Sequence, residues 1–592
     1  MARELSEELL AARRALDGLP EVSLLEDLEW DEGVQRWVLK IGIDLGADAT
    51  EVEARTEWYV LIHPTYPRGS ISIHPARTGG LTDVREHQAA LGSATPSQRW
   101  TTADICVRVK SWLGYRGAFE SEPRDHHLRL SWYAERAIEW LKAAATNTLA
   151  VAGEYFELPQ VIAPPLGDAV AFAEDRATFG VWQTRHDMVG LARLRRPNQV
   201  PRRLVVYAVE DRAGNEILSP GWGRQVREGS ETESAIWIRM SNVPVVGHWR
   251  VPSTWGELRT ACAKLGCDLD TEMQTVLGRI RDGRPHVMML GFPIPRIVGE
   301  LPVRMHWWCI RLPVLSWGRE RADGFRADDE GQWQRDRQEL LANNVALRWL
   351  ATENWDREEV SARGRLSESL RGQRILIIGV GSLGSAIAEL LVRGGVRELV
   401  LLDPDLLEAG NLVRHLGLLT NLDTPKAAVM AERLNSASPH ADVTGIWAAF
   451  PPLDVDATLA VELTDVVIDV TASDDLLDEL EAYPWPARSR LFCSVSLGID
   501  ARRLFFFAHT SPVFDRESFL KEFEPWRSRE LDDNKDRSPI YEPIGCYHPL
   551  FPARVDRVWR QAARAVEHLD HIVGSRAGSV PSFTVFDDES AG

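Results

Sequence analysis

The sequence predicts an α/β protein of several domains, and three observations carry that prediction. The chain has 592 residues, which is long enough for roughly three or four domains. Between Arg374 and Lys426, two apolar runs of strand length flank a glycine-rich turn and a helical segment, as parallel strands joined by a crossover do. The N-terminal region is organised differently, with a helix followed by alternating runs that read as antiparallel strands. The boundaries expected are 1–150, 151–350 and 351–592.

Bulk properties narrow the class. A chain that is 44% hydrophobic and 26% charged is ordinary globular protein. A formal charge of −19 argues against a nucleic-acid-coating surface, which needs clustered Lys and Arg. No apolar run approaches a membrane span, and Met1-Ala-Arg-Glu-Leu-Ser-Glu lacks a signal-peptide core. Six scattered cysteines suit a reducing compartment, so a cytoplasmic location is expected. Cys262 and Cys267, the one close pair, lie on and beyond a predicted helix with no further ligands at zinc intervals and read as packing residues.

From the N-terminus, Ser6–Leu19 predicts a helix with Leu9, Leu10 and Leu16 on one face, ended by Gly18-Leu-Pro20. Strand-like runs follow at Val34–Ile43, Val52–Thr56, Trp58–Ile62 and Gly69–His74. A loop-rich stretch then leads to Asp104-Ile105-Cys106-Val107, and a helix is predicted over Ser131–Ala145.

The middle region predicts an α/β connector. Strands are expected at Arg203–Val209, Ala235–Arg239, Val287–Leu290 and Met305–Ile310, with a helix over Gly256–Leu265. Trp182, Trp222, Trp237, Trp249, Trp255, Trp307 and Trp308 fall here; a packed core explains them better than a binding platform. A further helix is predicted over Trp333–Leu350.

The block Arg374–Lys426 carries the chemistry. Ile375-Leu-Ile-Ile378 is a buried strand, Gly379-Val-Gly381-Ser-Leu-Gly384 a turn, Ser385–Leu391 a helix, and Glu398–Leu402 a second strand ending in Asp403. The glycines allow close approach of a phosphate to a helix N-terminus, and the acid suits a ribose hydroxyl. A dinucleotide needs no basic pair at this point. ATP attacked at its α-phosphate needs cations that meet charge developing in the transition state. Arg414 and Lys426 suit that role, with Asn411 as a neutral donor. The succession of glycine turn, Asp403-Pro-Asp405, Asn411-Leu-Val-Arg414 and Lys426 resembles the ubiquitin-activating family, which includes the ThiF and MoeB adenylyltransferases. The resemblance spans about residues 365–575 and implies a Rossmann-like adenylation domain that binds ATP and Mg2+.

Two departures accompany it. The Cys-x-x-Cys zinc site of many relatives is absent, and the family's metal-holding acid after the strand Asp465–Val470 is replaced by Ala472. Asp474 is the candidate for magnesium, with Asp475 or Asp469 as alternatives; one or two carboxylates suffice when ATP supplies oxygens. Relatives reach across a subunit boundary with an arginine, for which Arg335, Arg337 and Arg348 are candidates.

Near the C-terminus, Ile544-Gly545-Cys546-Tyr547-His548-Pro549 follows a polar stretch read as a loop, Ser528–Asp536, and precedes a helix predicted over Arg554–Leu569. A thiol here would gain from the helix dipole and from Arg554 or Arg557, because an unperturbed thiol is only slightly ionised at neutral pH. Cys493, in an apolar strand, reads as core.

The order of helix, meander with Tyr66-Pro67, loop cysteine and helix over residues 1–150 resembles the ubiquitin-conjugating fold, an α+β domain in which Cys106 matches the catalytic cysteine. The family's His-Pro-Asn is not found, and His87-Gln88 is its nearest approximation. The whole chain resembles the fused conjugating and activating proteins of bacterial operons, most closely those of CBASS anti-phage defence. That resemblance implies adenylation of a partner's C-terminal carboxylate, usually a glycine, with thioesters on Cys546 and then Cys106. Transfer to a target lysine amine would follow. The partner implied is a cGAS-like nucleotidyltransferase or a ubiquitin-like protein, and the assembly a homodimer through residues 340–575. A sulfur-carrier adenylyltransferase and a silent nucleotide-binding scaffold are the alternatives.

Overall fold

The structure is a computed structural model, and it describes residues 4–46, 50–92, 98–107, 122–123, 125–198, 200–318, 324–538, 551–575 and 577–588. It divides into two compact units. The first comprises Met1–Leu194, Arg202–Ser219 and Thr232–Glu353; the second comprises Arg195–Pro201, Pro220–Glu231 and Asn354–Gly592.

The first unit opens with the helix Glu7–Ala15, shorter than predicted and extended by a 3₁₀ turn over Leu16–Gly18. Ser6 caps it by accepting the Leu9 N–H over 3.2 Å. Four antiparallel strands follow in sequence order: Val22–Asp31, Arg36–Asp44, Arg55–Ile62 and Ile71–Pro75. The first of these was not expected, because acidic residues interrupt its apolar positions. The runs Val52–Thr56 and Trp58–Ile62 are replaced by one strand starting at Arg55. The helix predicted from Ser131 begins a turn earlier, at His126, where Asp125 accepts the His127 N–H. Leu9, Trp58, Ile73, Tyr133 and Leu141 meet in one core. Each such side chain contributes about 1.5–3 kcal/mol on burial.

The connector builds an eight-stranded sheet in the order Ala169–Phe172, Trp349–Asn354, Arg304–Arg311, Val287–Ile294, Ser230–Arg239, Val189–Arg196, Arg203–Glu210, Glu216–Leu218. Ala169–Phe172 also pairs with Arg203–Glu210. Trp182, Trp237, Trp255, Trp307 and Trp308 are buried in its two cores, as the packing reading expects, whereas Trp249 is half-buried. Cys262 and Cys267 are buried there as well.

One expectation is corrected here. The helix predicted over Trp333–Leu350 ends at Leu340, and Trp349–Asn354 is a strand paired with Arg304–Arg311. Asn343-Asn344 breaks the helix, and a free sheet position claims the apolar residues beyond it. Arg335 pairs with Glu339, and Arg337 with Asp270 at 3.0 Å, so both guanidinium groups are engaged inside this unit.

The second unit is a seven-stranded sheet ordered Asp442–Ile446, Glu398–Leu402, Arg374–Ile378, Val466–Asp469, Arg490–Leu497, Arg503–Ser511, Ser582–Asp587. The first five strands are parallel, Arg503–Ser511 runs antiparallel to them, and Ser582–Asp587 pairs antiparallel with Arg503–Ser511. The helices Ser382–Arg393 and Val555–Ser575 share one core cluster of this sheet. Arg374–Ile378 lies between Glu398–Leu402 and Val466–Asp469, the point where strand order reverses and a crevice opens at the strands' carboxyl ends. The polar stretch read as a loop, Ser528–Asp536, is helical as far as Asp533. Its charges are spent on tertiary pairing: Arg503 bonds Glu530 and Asp533 at 2.5 and 2.8 Å.

Candidate functional site

The turn Gly379–Gly384 leaves the carboxyl end of Arg374–Ile378 and enters the helix Ser382–Arg393. Its glycines have three different reasons. Gly379 sits at φ +88°, and a Cβ there would lie 2.8 Å from Thr471 Cγ2. A Cβ on Gly384 would collide with the Gly379 carbonyl oxygen. A Cβ on Gly381 would meet nothing within 4 Å, so the space above it is open. Beside it the hydroxyl of Ser382 is buried and has no partner among the described residues. Open space and an orphaned donor at a helix N-terminus fit a phosphate oxygen.

The acid predicted to meet a ribose is turned toward the protein. Asp403 is buried; its Oδ2 accepts the Val380 N–H over 2.6 Å and its Oδ1 the Asp405 N–H over 2.8 Å. Burial pushes its carboxyl above the usual range, against those two hydrogen bonds. Asp403 therefore shapes the turn from below. Asp405 is largely exposed and accepts from Lys426 Nζ over 2.8 Å. Lys426 starts the helix Lys426–Asn435, and its own N–H donates to the Asp405 carbonyl.

Asn411 and Arg414 lie in and after the 3₁₀ turn Ala409–Val413. The Asn411 Oδ1 accepts the Glu408 N–H, which leaves its amide NH2 without a partner among the described residues. Arg414 donates to the Phe551 carbonyl over 2.5 Å and stacks on that ring, and burial lowers its pKa.

A residue not chosen from sequence joins these parts. His415 is buried; its Nε2 lies 2.9 Å from the Val380 carbonyl, and its Nδ1 accepts the Gly417 N–H. Its place directly after Arg414 was the available signal.

Asp469 does not suit a metal: Thr471 and Ser494 occupy both of its oxygens, and it is fully buried. Asp474 and Asp475 are exposed in the first turn of Asp474–Ala482. No group of three His, Cys, Asp or Glu suited to a metal occurs among the described residues.

In the first unit, the segment around Cys106 alternates. Ala103, Ile105 and Val107 are buried, and Cys106 between the last two is exposed. The apolar neighbours that make it read as core are themselves the core. Cys262, Cys267, Cys309 and Cys493 are buried, and burial raises all four thiols, Cys267 to about 11. Hydrogen bonds on both sides hold the Cys106 loop. Ile105 N–H donates to Ile73 C=O, Cys106 N–H to His87 C=O over 2.7 Å, and Arg136 Nε to Val107 C=O.

The strand Ile71–Pro75 brings His74-Pro75-Ala76 beside this loop, where Ala76 bridges Trp100. His74-Pro75 matches two residues of His-Pro-Asn, which His87-Gln88 does not, and Ala76 follows it. Cys546 and His548 lie outside the described residues. Arg554 pairs with Asp556, and Arg557 reaches the Asp500 carbonyl. Among the described residues no helix is long and apolar enough to cross a membrane.

Residues 147–355 match the Cap2 central linker domain, and residues 354–566 match the ThiF family. Over 546 residues the chain is 31% identical to the ATP-dependent ubiquitin transferase-like protein Cap2 of Enterobacter hormaechei subsp. hoffmannii, covering 91% of this chain and 90% of that protein. The Cap2 protein of Pseudomonas aeruginosa is 32% identical over 114 residues, 19% of this chain and 20% of that one. The sulfur carrier protein ThiS adenylyltransferase of Bacillus subtilis is 41% identical over 113 residues, 18% of this chain and 32% of that one. The chain belongs to the family of ATP-dependent ubiquitin transferase-like Cap2 proteins.

Proposed function

We propose that this protein uses ATP to activate the C-terminal carboxylate of a partner protein and ligates it to a target amine. The observation that carries the reading is the open space above Gly381, with the Ser382 hydroxyl unpartnered among the described residues and Lys426 tied to the same turn through Asp405, whose N–H shares Asp403 with the Val380 N–H. The helix N-terminus and Ser382 would hold phosphate oxygens, and Lys426 and Arg414 would meet the charge that grows as a carboxylate oxygen attacks the α-phosphorus. Pyrophosphate leaves and an acyl-adenylate remains. Asn411 Nδ2 is a neutral donor for the same group. Mg2+ would neutralise phosphate charge, with exposed Asp474 as the carboxylate to hold it.

Cys546 would then displace AMP to form a thioester, and Cys106 would take the acyl group by transthioesterification. The exposure of Cys106 among buried neighbours supports that second role. The four-stranded meander between two helices supports a conjugating-like domain around it. A lysine amine would complete the isopeptide bond. The narrower reading is a glycine-ended cGAS-like nucleotidyltransferase as the partner, in anti-phage defence in the cytoplasm, with a ubiquitin-like protein as the other candidate. A homodimer through residues 340–575 is part of the proposal.

The test is incubation of the full chain with ATP and each candidate partner, scored by pyrophosphate exchange and non-reducing electrophoresis. Lys426→Ala and Arg414→Ala should abolish exchange while the protein stays folded. Cys546→Ala should stop every thioester, and Cys106→Ala should accumulate one on Cys546 without isopeptide product. Exchange with no thioester in the unmodified protein would instead make it a sulfur-carrier type of adenylyltransferase.

A further inference from the structure

The face that presents Cys106 carries a side-chain pair that the proposed reaction leaves unused. Gln88 and Ile105 form an antiparallel bridge, which sets His87 directly across from Cys106, joined by the Cys106 N–H to His87 C=O bond of 2.7 Å. The His87 Nδ1 lies 3.1 Å from Glu157 Oε2, and its Nε2 lies 4.0 Å from Glu154 Oε2. The imidazole is 29% exposed, so a molecule arriving from solvent can reach it. The other histidine near this loop is closed: His74 has one ring nitrogen on the Thr101 carbonyl and the other on the Ser72 hydroxyl.

The charge of the face bears on the use of such a base. Glu154 and Glu157 flank His87, and Asp104 precedes Cys106 by two residues. Carboxylates attract an ammonium. An imidazole among them is placed to serve an incoming cationic amine. With Nδ1–H turned to Glu157, Nε2 is left as the proton acceptor.

We propose that His87, oriented by Glu157, is the general base that takes a proton from the target's ammonium group as it attacks the acyl group on Cys106. The inference rests on the reading of Cys106 as the acyl carrier. The ammonium gives one proton to His87 Nε2, and the free amine nitrogen forms its bond to the thioester carbonyl carbon. The carbon–sulfur bond breaks, sulfur leaves with the electron pair, and it takes the second amine proton to become the Cys106 thiol. His87 returns its proton to water. Glu154 and Glu157 also make a cationic acceptor the preferred one.

The test uses the full chain, charged with ATP and the partner protein, then chased with free lysine, with discharge scored per thioester-loaded Cys106. His87→Gly suits the left-handed φ of +57° at this position. Its discharge rate should fall about 100-fold, within the usual range for a general base, and added imidazole should restore much of it. Glu157→Gln should lower the rate about tenfold with little change in the lysine concentration at half-maximal rate. Unchanged discharge from loaded His87→Gly overturns the proposal. A loss that imidazole leaves untouched overturns it too, because it assigns His87 a purely structural role. If the unmodified protein never loads Cys106, the acyl-carrier reading itself fails and this role falls with it.

Discussion

The imidazole of His415 bridges two backbone segments, with Nε2 2.9 Å from the Val380 carbonyl and Nδ1 2.8 Å from the Gly417 nitrogen. Nδ1 accepts, so Nε2 carries the proton and donates, and the ring must be neutral. Burial agrees, pushing its pKa down to about 4. The N–H of the same Val380 is held by Asp403. The turn beneath the open phosphate space is thus fixed from both sides, and the residue that fixes it follows Arg414 in the chain.

The first prediction follows from that ring. A histidine whose folded pKa lies below its unfolded value of about 6.5 contributes stability that is present above pH 6.5 and lost as pH falls through 4. The contribution is on the order of 3 kcal/mol. His415→Gln keeps one donor and one acceptor. It should retain most of the exchange activity, with weaker acid sensitivity in thermal melting. His415→Leu should raise the ATP concentration needed for half-maximal exchange about tenfold or more. Equal activity of the Gln and Leu variants would remove His415 from the positioning role.

The glycines of the turn separate folding from binding. Gly384→Ala forces a methyl group into the Gly379 carbonyl and should lower the melting temperature sharply or prevent folding. Gly381→Ala has room in the protein and should melt within a degree or two of the parent, yet lose ATP binding by calorimetry because the methyl fills the phosphate space. Normal ATP affinity in Gly381→Ala would contradict this assignment of the space.

Glu174 offers a pH prediction in the connector. Its Oε1 accepts both the Trp182 and Trp307 indole N–H groups, at 2.9 and 2.8 Å, and Oε2 accepts the Thr178 hydroxyl. Burial outweighs those bonds and raises its carboxyl to about 7. An acid with a raised folded pKa contributes stability below about pH 4.5 that is lost as pH rises through 7. Glu174→Gln can leave its carbonyl facing the indoles and should flatten that slope between pH 4.5 and 7, as read by chemical denaturation. Glu174→Ala strands two buried donors and should cost about 2–4 kcal/mol.

The proposed homodimer has a direct test. Val413, Leu418 and Leu419, in the segment beside Arg414, are 72, 60 and 71% exposed, a run of large apolar groups facing solvent in one chain. Replacing Leu418 and Leu419 together by Glu should give a monomer by sedimentation at micromolar concentration and reduce pyrophosphate exchange. A parent protein that is monomeric and fully active at that concentration would refute the dimer.

The sequence by itself determined the elements around the nucleotide turn. Parallel strands covered on both faces are near-continuous apolar runs, so Ile375–Ile378 and Leu399–Leu402 announce themselves, and the glycines announce the turn between them. It also determined the core character of the buried connector tryptophans and of Cys262, Cys267 and Cys493, because large apolar side chains and uncharged thiols without ligand-spaced neighbours gain most from burial. What needed the tertiary structure were relationships between segments far apart in the chain. Val22–Asp31 is a strand only because Arg36–Asp44 completes its ladder, and its acidic residues hide that pairing. Trp349–Asn354 becomes a strand because Arg304–Arg311 offers it a position in the sheet. Asp403 turns to the protein because two backbone N–H groups await it, a matter of three-dimensional direction that residue identity does not encode. Cys106 points outward for the same kind of reason. Ile105 and Val107 both favour the core, and the extended backbone then leaves the residue between them to face water.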